Sequence, residues 1–219
     1  VLAPTPFKAL ETNCGISYIA NGMLYDSYVR KLVSPTKAMI RDWMHVFCSD
    51  GVANNEIARV LHTLKSECNL TLDDVDEWAR LIVLPRHHGK GSIDWFSDHR
   101  LLERKMRGFA SEILTMVVLL HAYLVEVVQP TGAMPREIEC IGLLKSIIDI
   151  MKLGAHGSTP HIERLKSLLK AHHTLYTALY HIVPCAFKPK YRKALYIPSN
   201  METWNILLSC WTTERKNKD

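Results

Sequence analysis

The feature that most constrains the fold is a strongly apolar segment near the middle of the chain, residues 113–128. Pro130 and Gly132 follow it, and both residue types are typical of a helix end. Three polar side chains interrupt the segment, namely Thr115, His121 and Glu126. It is also shorter than the roughly 20 apolar residues that a helix needs to cross a bilayer. We therefore expect a buried helix of a soluble protein and no membrane partner.

Helix start and stop signals recur along most of the chain. Thr71 precedes two acidic residues, as a helix cap does, and Gly154 ends a periodic apolar segment that begins at Pro135. Such patterns predict further helices over residues 43–67 with a break near Gly51, 75–84, 135–153, 159–183 and 204–218. Around Ala194 the chain is bracketed by prolines, which predicts irregular structure or a short strand. The expected fold class is mainly α, a helical array.

Composition places the chain among ordinary globular proteins. Its 219 residues are 47% hydrophobic and 22% charged, which is enough to bury a sizeable core. A formal charge of +5 permits a phosphate-rich partner but does not require one. The six scattered cysteines form no CxxC pair, which favours reduced thiols in an intracellular protein. The first residues show neither an initiator Met nor a signal-peptide layout, so we expect a piece of a longer protein.

Asp42 is the first candidate for chemistry. It follows residues 37–41, which predict a short strand, and it precedes an apolar run that predicts a helix. The simplest interpretation is an N-cap, in which the carboxylate accepts backbone N–H bonds at the helix start. A carboxylate at such a junction can instead bind a divalent metal if a second carboxylate joins it. Glu214, near the end of the chain, is the possible partner, and His45 would support the site.

Several basic segments could contact a phosphate backbone. Such runs usually lie on a solvated surface, but beside an acidic site they favour nucleic-acid binding. One lies in a glycine-containing loop, one precedes the last predicted helix, and one follows Glu214. The predicted contacts are made by Arg86, Lys90, Lys188, Lys190, Arg192, Lys193, Arg215 and Lys216.

Other chemistries find little support in the sequence. His45 and Cys48 make the only tight ligand pair, and no second pair completes the spacing of a structural zinc site. His172 and His173 lie in a segment rich in leucine and tyrosine, so we expect them to be packing or surface residues. The motifs of nucleotide-binding folds, serine hydrolases and zinc proteases do not occur.

The segment Arg41-Asp42-Trp43-Met44-His45, followed by Gly51-Val52, resembles the second-aspartate box of DDE transposases of the CACTA and Plavaka-like type. Three further stretches of the chain resemble the family in the same order. Residues 15–25 are similar to the segment before the box, and residues 108–112 to the start of an insertion helix. Residues 189–198 and 209–216 resemble the segment that ends in the catalytic glutamate. Each motif is short, so their common order is the main ground for the resemblance.

The resemblance implies an RNase-H-like core that an all-helical insertion splits. Residues 1–67 and 188–219 would supply remnants of this α/β core, including the short strand before Asp42 and a last helix with Glu214. Residues 68–187 would form the insertion. Asp42 and Glu214 would be the second and third catalytic carboxylates and would bind Mg²⁺ or Mn²⁺. The implied partner is DNA, cut and joined by two-metal phosphoryl transfer, and the implied location is the nucleus.

Departures from the family pattern bear on activity. The first catalytic aspartate of the family lies on a strand upstream of the box, before the point that corresponds to Val1. Relatives often have histidine at places where this chain has Tyr191, Arg192, Tyr196 and Asn217. We therefore expect a fragment or decayed copy that does not cut DNA, although the intact parent would be an enzyme and could form a homo-oligomer. The alternative, from another class, is a non-catalytic helical module that binds nucleic acid or protein.

Overall fold

The computed structural model describes residues 26–32, 41–84, 94–154, 161–183 and 189–204, together with Leu207. Within these residues the protein is mainly helical, and its only β structure is an antiparallel bridge between Leu101 and Met106. The predicted mainly α class is thus confirmed. The stretch predicted as a strand before Asp42 falls outside the described residues except for Arg41, which has no regular structure, and the predicted helix around Glu214 also falls outside them.

Nine α-helices follow one another in the described ranges. They are α1 (Val29–Leu32), α2 (Trp43–Phe47), α3 (Val52–Glu67), α4 (Leu72–Arg80), α5 (Ala110–Tyr123), α6 (Pro135–Gly154), α7 (Ile162–Tyr180), α8 (Pro189–Ala194) and α9 (Ile197–Trp204). A π-helical turn (Leu124–Val128) and a 3-10 turn (Gln129–Thr131) continue α5. Gly132 then adopts a left-handed conformation with φ of 76°, which ends the helical stretch as predicted.

Local capping sets several of the predicted boundaries. Thr71 caps α4 by accepting from the N–H of Asp74, whose carboxylate in turn accepts from the N–H of Thr71. Gly51 is the extended N-cap residue before α3, and no side chain fits here, because a Cβ would lie 2.3 Å from the carbonyl oxygen of Val46. The prediction of irregular chain or a short strand around Ala194 is wrong, since α8 and α9 occupy this region with a turn between them.

The core is centred on α5, which packs against α3, α4 and α6. Five of its side chains are at most 1% exposed, namely Ile113, Leu114, Met116, Val117 and Leu120. Burying each large apolar side chain contributes about 1.5–3 kcal/mol. By length and composition alone, the stretch Ala110–Thr131, with a mean hydropathy of 1.7, could cross a membrane, as core helices of soluble proteins also could. Inside the protein, 56% of its apolar window is buried.

Polar side chains are buried at the start of α3. Asn54, Asn55 and Glu56 are consecutive, and each is at most 3% exposed. Asn54 accepts from the N–H of Gly51 at 3.0 Å and donates to the carbonyl of Met106 at 3.0 Å, which fixes the loop before α5. Helix α3 also packs against α6, and α6 packs along α7. The side chain of Glu56 is therefore buried where these three helices meet, and it contacts His172 of α7.

Candidate functional site

Asp42 is the N-cap of α2. Its Oδ1 accepts from the N–H of Met44 at 2.9 Å, and its Oδ2 lies 2.6 Å from Nδ1 of His45. The side chain is 16% exposed, whereas the side chain of His45 is 56% exposed. The capping interpretation of Asp42 is therefore confirmed. A carboxylate offers about four acceptor positions, so helix capping and metal coordination do not exclude one another.

The chain returns to the Asp42 helix after α7, because α8 packs against α2. Lys190 of α8 donates from Nζ to the carbonyl oxygen of His45 at 2.8 Å and also to the carbonyl of Ser49. A cation at these carbonyls complements the negative end of the α2 dipole. Lys190, predicted as a nucleic-acid contact, is thus bonded to the backbone of its own protein.

Arg41 makes a second link between the same parts of the chain. Its Nη1 donates to Oδ1 of Asn200 at 3.4 Å, and its guanidinium lies 4.8 Å from the centroid of the Tyr196 ring. Both partners belong to the turn and helix that follow α8. Two independent contacts therefore place residues 189–204 beside the residues that flank Asp42.

The other predicted site residues divide into two groups. Arg192 is exposed and Lys193 is half-buried, and both lie on α8, which contacts α2. The remaining six lie outside the described residues, namely Arg86, Lys90, Lys188, Glu214, Arg215 and Lys216. The pairing of Asp42 with Glu214 therefore stays a prediction.

The structure also brings together three candidate metal ligands that the sequence did not reveal. Glu56 of α3, Cys140 of α6 and His172 of α7 are 0%, 1% and 3% exposed. One ligand atom of each lies within 4.8 Å of the other two. Nε2 of His172 lies 2.6 Å from Oε2 of Glu56, a short contact of the kind that a charged acceptor makes. Oε1 of Glu56 is buried and has no hydrogen bond of regular geometry, although the Cys140 thiol interacts with this carboxylate.

The surroundings of these three residues have a low polarity. Burial raises the pKa of the Cys140 thiol well above its usual range, and the negative charge of Glu56 raises it further. Burial likewise raises the pKa of Tyr176 and Tyr180 on the next turns of α7. The rings of these two tyrosines lie 4.8 Å apart, and the ring of Tyr191 lies 4.4 Å from that of Tyr176. Aromatic rings therefore shield this polar cluster from water.

The sequence contains only an indirect signal for this cluster. Glu56 lies four residues from both Val52 and Val60, so it shares a helix face with apolar side chains. His172 lies four residues before Tyr176 on a similarly apolar face. Periodicity could thus have predicted buried polar groups, but nothing in the spacing connects residues on three separate helices.

Comparisons with known proteins do not assign the chain to a family. No protein-family model, no curated protein and no solved structure matches it. The grounds for a function are therefore the contacts described above and the resemblance of short sequence motifs.

Proposed function

We propose that this chain is part of a protein derived from a DDE transposase of the CACTA or Plavaka-like type, and that it binds DNA. In this proposal Asp42 and Glu214 are two carboxylate ligands of an RNase-H-like site for Mg²⁺ or Mn²⁺. Self-association and a nuclear location would follow from such a parent. The observation that supports the proposal is the packing of α8 against the Asp42 helix, with Lys190 bonded to the carbonyl of His45.

In this proposal Glu214 returns to Asp42 through the segment that follows α9. α9 ends at Trp204, and Asn200 of this helix contacts Arg41, the residue before Asp42. The ten residues from Trp204 to Glu214 span roughly 15 Å as a helix and at most about 36 Å when extended. The proposal requires this segment to run towards the Asp42 side of the protein.

The residues near Asp42 suit the proposed chemistry. Oxygen ligands are preferred by Mg²⁺, which in a two-metal site stabilises the attacking and leaving oxygens of a phosphoryl displacement. The bond from the Met44 N–H and the contact with His45 hold the Asp42 carboxylate in a fixed orientation. Arg192 and Lys193, on the neighbouring α8, would attract the DNA backbone.

A non-catalytic helical module that binds nucleic acid or protein is the second candidate. The observation that favours it is the capping role of Asp42, since a helix cap explains this carboxylate without any metal. In that case the basic side chains of α8 would bind DNA or an acidic protein surface, and no divalent ion would be needed.

Substitution of Asp42 by Asn separates the two candidates. Asn caps a helix about as well as Asp, so Asp42→Asn removes the charge without loss of the cap. Mn²⁺ binding, measured from the electron paramagnetic resonance of the free ion, should weaken at least about tenfold in Asp42→Asn and in Glu214→Gln. Glu103→Gln, at an 86% exposed side chain, is the matched control.

Mn²⁺ binding and DNA binding together distinguish the metal site from the non-catalytic module. Loss of Mn²⁺ binding in both site variants, with the control unchanged, supports the metal site. Equal Mn²⁺ binding in the original protein and in Asp42→Asn overturns it. DNA binding that persists in fluorescence anisotropy without any metal dependence then supports the non-catalytic module, whereas absence of DNA binding overturns the DNA-binding role altogether.

A further inference from the structure

We propose that Glu56, Cys140 and His172 form a buried binding site for a divalent transition-metal ion of the zinc class. The site joins α3, α6 and α7, one ligand from each helix. All three ligand atoms already lie within 4.8 Å of one another, so an ion can be coordinated without a change of fold. This proposal uses none of the residues in the Asp42 site and is independent of it.

The types of ligand atom select the class of metal. A cysteine sulfur and an imidazole nitrogen are borderline or soft ligands, which bind Zn²⁺ and related ions in preference to Mg²⁺ or Ca²⁺. A carboxylate oxygen completes a set of three protein ligands, as in zinc sites that keep a fourth position for another group. The Mg²⁺ predicted for the Asp42 site is therefore a poor candidate for this one.

The unpartnered oxygen of Glu56 is an independent sign of a ligand. Oε1 is buried and has no hydrogen bond of regular geometry; Oε2 is close to His172, and the weakly donating thiol of Cys140 interacts with the carboxylate. A buried polar atom without a partner costs about 1–3 kcal/mol, and more when it is charged. A bound cation would give Oε1 a stronger interaction than the weak thiol donor of Cys140 provides.

The charges of the cluster also match a divalent ion. Coordination uses the lone pair of His172 Nε2, so the neutral imidazole carries its proton on Nδ1, and the Cys140 thiol releases its proton to solvent. The carboxylate and the thiolate then supply two negative charges against the two positive charges of the ion. A neutral assembly of this kind avoids the large cost of an unpaired charge in an apolar interior.

Only a small adjustment of the helices is required. Zinc bonds of about 2.0–2.1 Å at a tetrahedral angle place nitrogen and oxygen ligands about 3.4 Å apart. The contact between His172 Nε2 and Glu56 Oε2 is 2.6 Å and must therefore widen. Rotation of the Glu56 carboxylate to present Oε1 reduces the movement, because that oxygen has no hydrogen bond of regular geometry to break.

The site would have a structural effect on the fold. It would cross-link the α6–α7 pair to α3, which in turn packs against the central α5. A ligand that binds the native state and not the unfolded chain stabilises the native state, and a metal held by three helices acts in this way. Metal binding should therefore raise the melting temperature.

Cobalt substitution of the full chain tests the proposal. Co²⁺ takes the place of Zn²⁺, and a cysteine ligand produces a thiolate-to-cobalt charge-transfer band in the near ultraviolet. The band should appear in the original protein and should be lost in Cys140→Ala, with binding at least about tenfold weaker. Cys48→Ala is the matched control, because Cys48 is also a fully buried cysteine but lies outside the cluster.

A second measurement does not depend on any variant. X-ray absorption of the zinc-loaded protein should show one sulfur ligand at about 2.3 Å together with nitrogen and oxygen ligands. Circular dichroism and the melting temperature without metal establish that Cys140→Ala is folded. A band that persists in Cys140→Ala, or a zinc-loaded protein without a sulfur ligand, overturns the site. Neither result bears on Mn²⁺ binding by Asp42.

Discussion

Glu56 and His172 are separated by 116 residues in the chain, yet Oε2 of Glu56 lies 2.6 Å from Nε2 of His172 in the core. The side chains are 0% and 4% exposed, so water screens the interaction very little. A pair of this kind ties α3 to α7, and it is costly to leave either partner alone. It also forms two thirds of the proposed transition-metal site.

Loss of one member of this pair should be strongly destabilising. Glu56→Ala leaves a buried imidazole without its partner, so we expect the free energy of unfolding to fall by about 3–5 kcal/mol. Asp149→Ala, which breaks the surface pair with Lys145, should cost less than about 1 kcal/mol. Urea denaturation of the metal-free proteins measures both values. Similar losses in the two variants would show that the Glu56–His172 contact does not stabilise the fold.

Gly51 should be less tolerant of a side chain than Gly132. In Gly51→Ala the new Cβ would meet backbone atoms of Val46 and Phe47 at 2.3–2.5 Å, and the backbone cannot move away as a side chain can. Gly132 has a positive φ but nothing within 4 Å of the added Cβ. We expect a loss above about 2 kcal/mol for Gly51→Ala and about 1 kcal/mol for Gly132→Ala. The reverse order in urea midpoints would contradict the close packing at the α2–α3 junction.

His121 should make the stability depend on pH. Partial burial lowers the pKa of its ring below the usual 6.5, Lys145 lowers the pKa further, and Asp149 raises it. The unfolded chain then takes up the proton at a higher pH than the folded protein does. The contribution of His121 to the free energy of unfolding is fully present above about pH 6.5, and it is lost as the pH falls towards the pKa of the folded protein.

The comparison of the original protein with His121→Gln measures this contribution. The difference in unfolding free energy between the two proteins should change from about pH 7.5 to about pH 5.5, with the original protein losing more stability in acid. A nuclear magnetic resonance titration of the His121 ring gives the pKa directly. A difference that stays constant over this range would show that His121 has no such role.

Lys190 and Lys193 lie on the same short helix, but substitution of Lys190 should affect stability, whereas substitution of Lys193 should affect DNA binding. Nζ of Lys190 is bonded to the carbonyl of His45, so Lys190→Ala should lower the unfolding free energy by about 1 kcal/mol. In the proposed DNA-binding role, Lys193→Ala should instead reduce the slope of log affinity against log salt by about 1. Anisotropy titrations at several salt concentrations measure the slope. An unchanged slope in Lys193→Ala would remove this residue from the interface.

The features of the fold that depend only on residues close together in the sequence could be predicted. Thr71 with Asp74 and the turn at Gly132 act through caps and backbone conformation, which are local properties. The error around Ala194 has a local cause as well. Prolines are typical of breaks, but Pro189 is the first residue of α8 and Pro198 is the second residue of α9, where a missing N–H costs nothing.

The candidate sites required tertiary information. The residues around Asp42 are compatible with a helix cap and with a metal ligand. The hydrogen bond from the Met44 N–H and the contact with His45 establish the capping role. The cluster of Glu56, Cys140 and His172 depends on how three helices pack, which no sequence spacing records. The proposed metal of this cluster therefore rests on the packing of the helices, whereas the proposed pairing of Asp42 with Glu214 rests on sequence motifs.

Iron-directed cleavage of the backbone tests the central claim most directly. Fe²⁺ can replace Mg²⁺ at oxygen ligands, and with ascorbate and peroxide it cuts the chain beside the bound ion. If Asp42 and Glu214 share a metal site, the full chain should yield fragments that end near both residues, and Asp42→Asn should yield neither. Cleavage near Asp42 without cleavage near Glu214, or no cleavage near Asp42, would contradict the account.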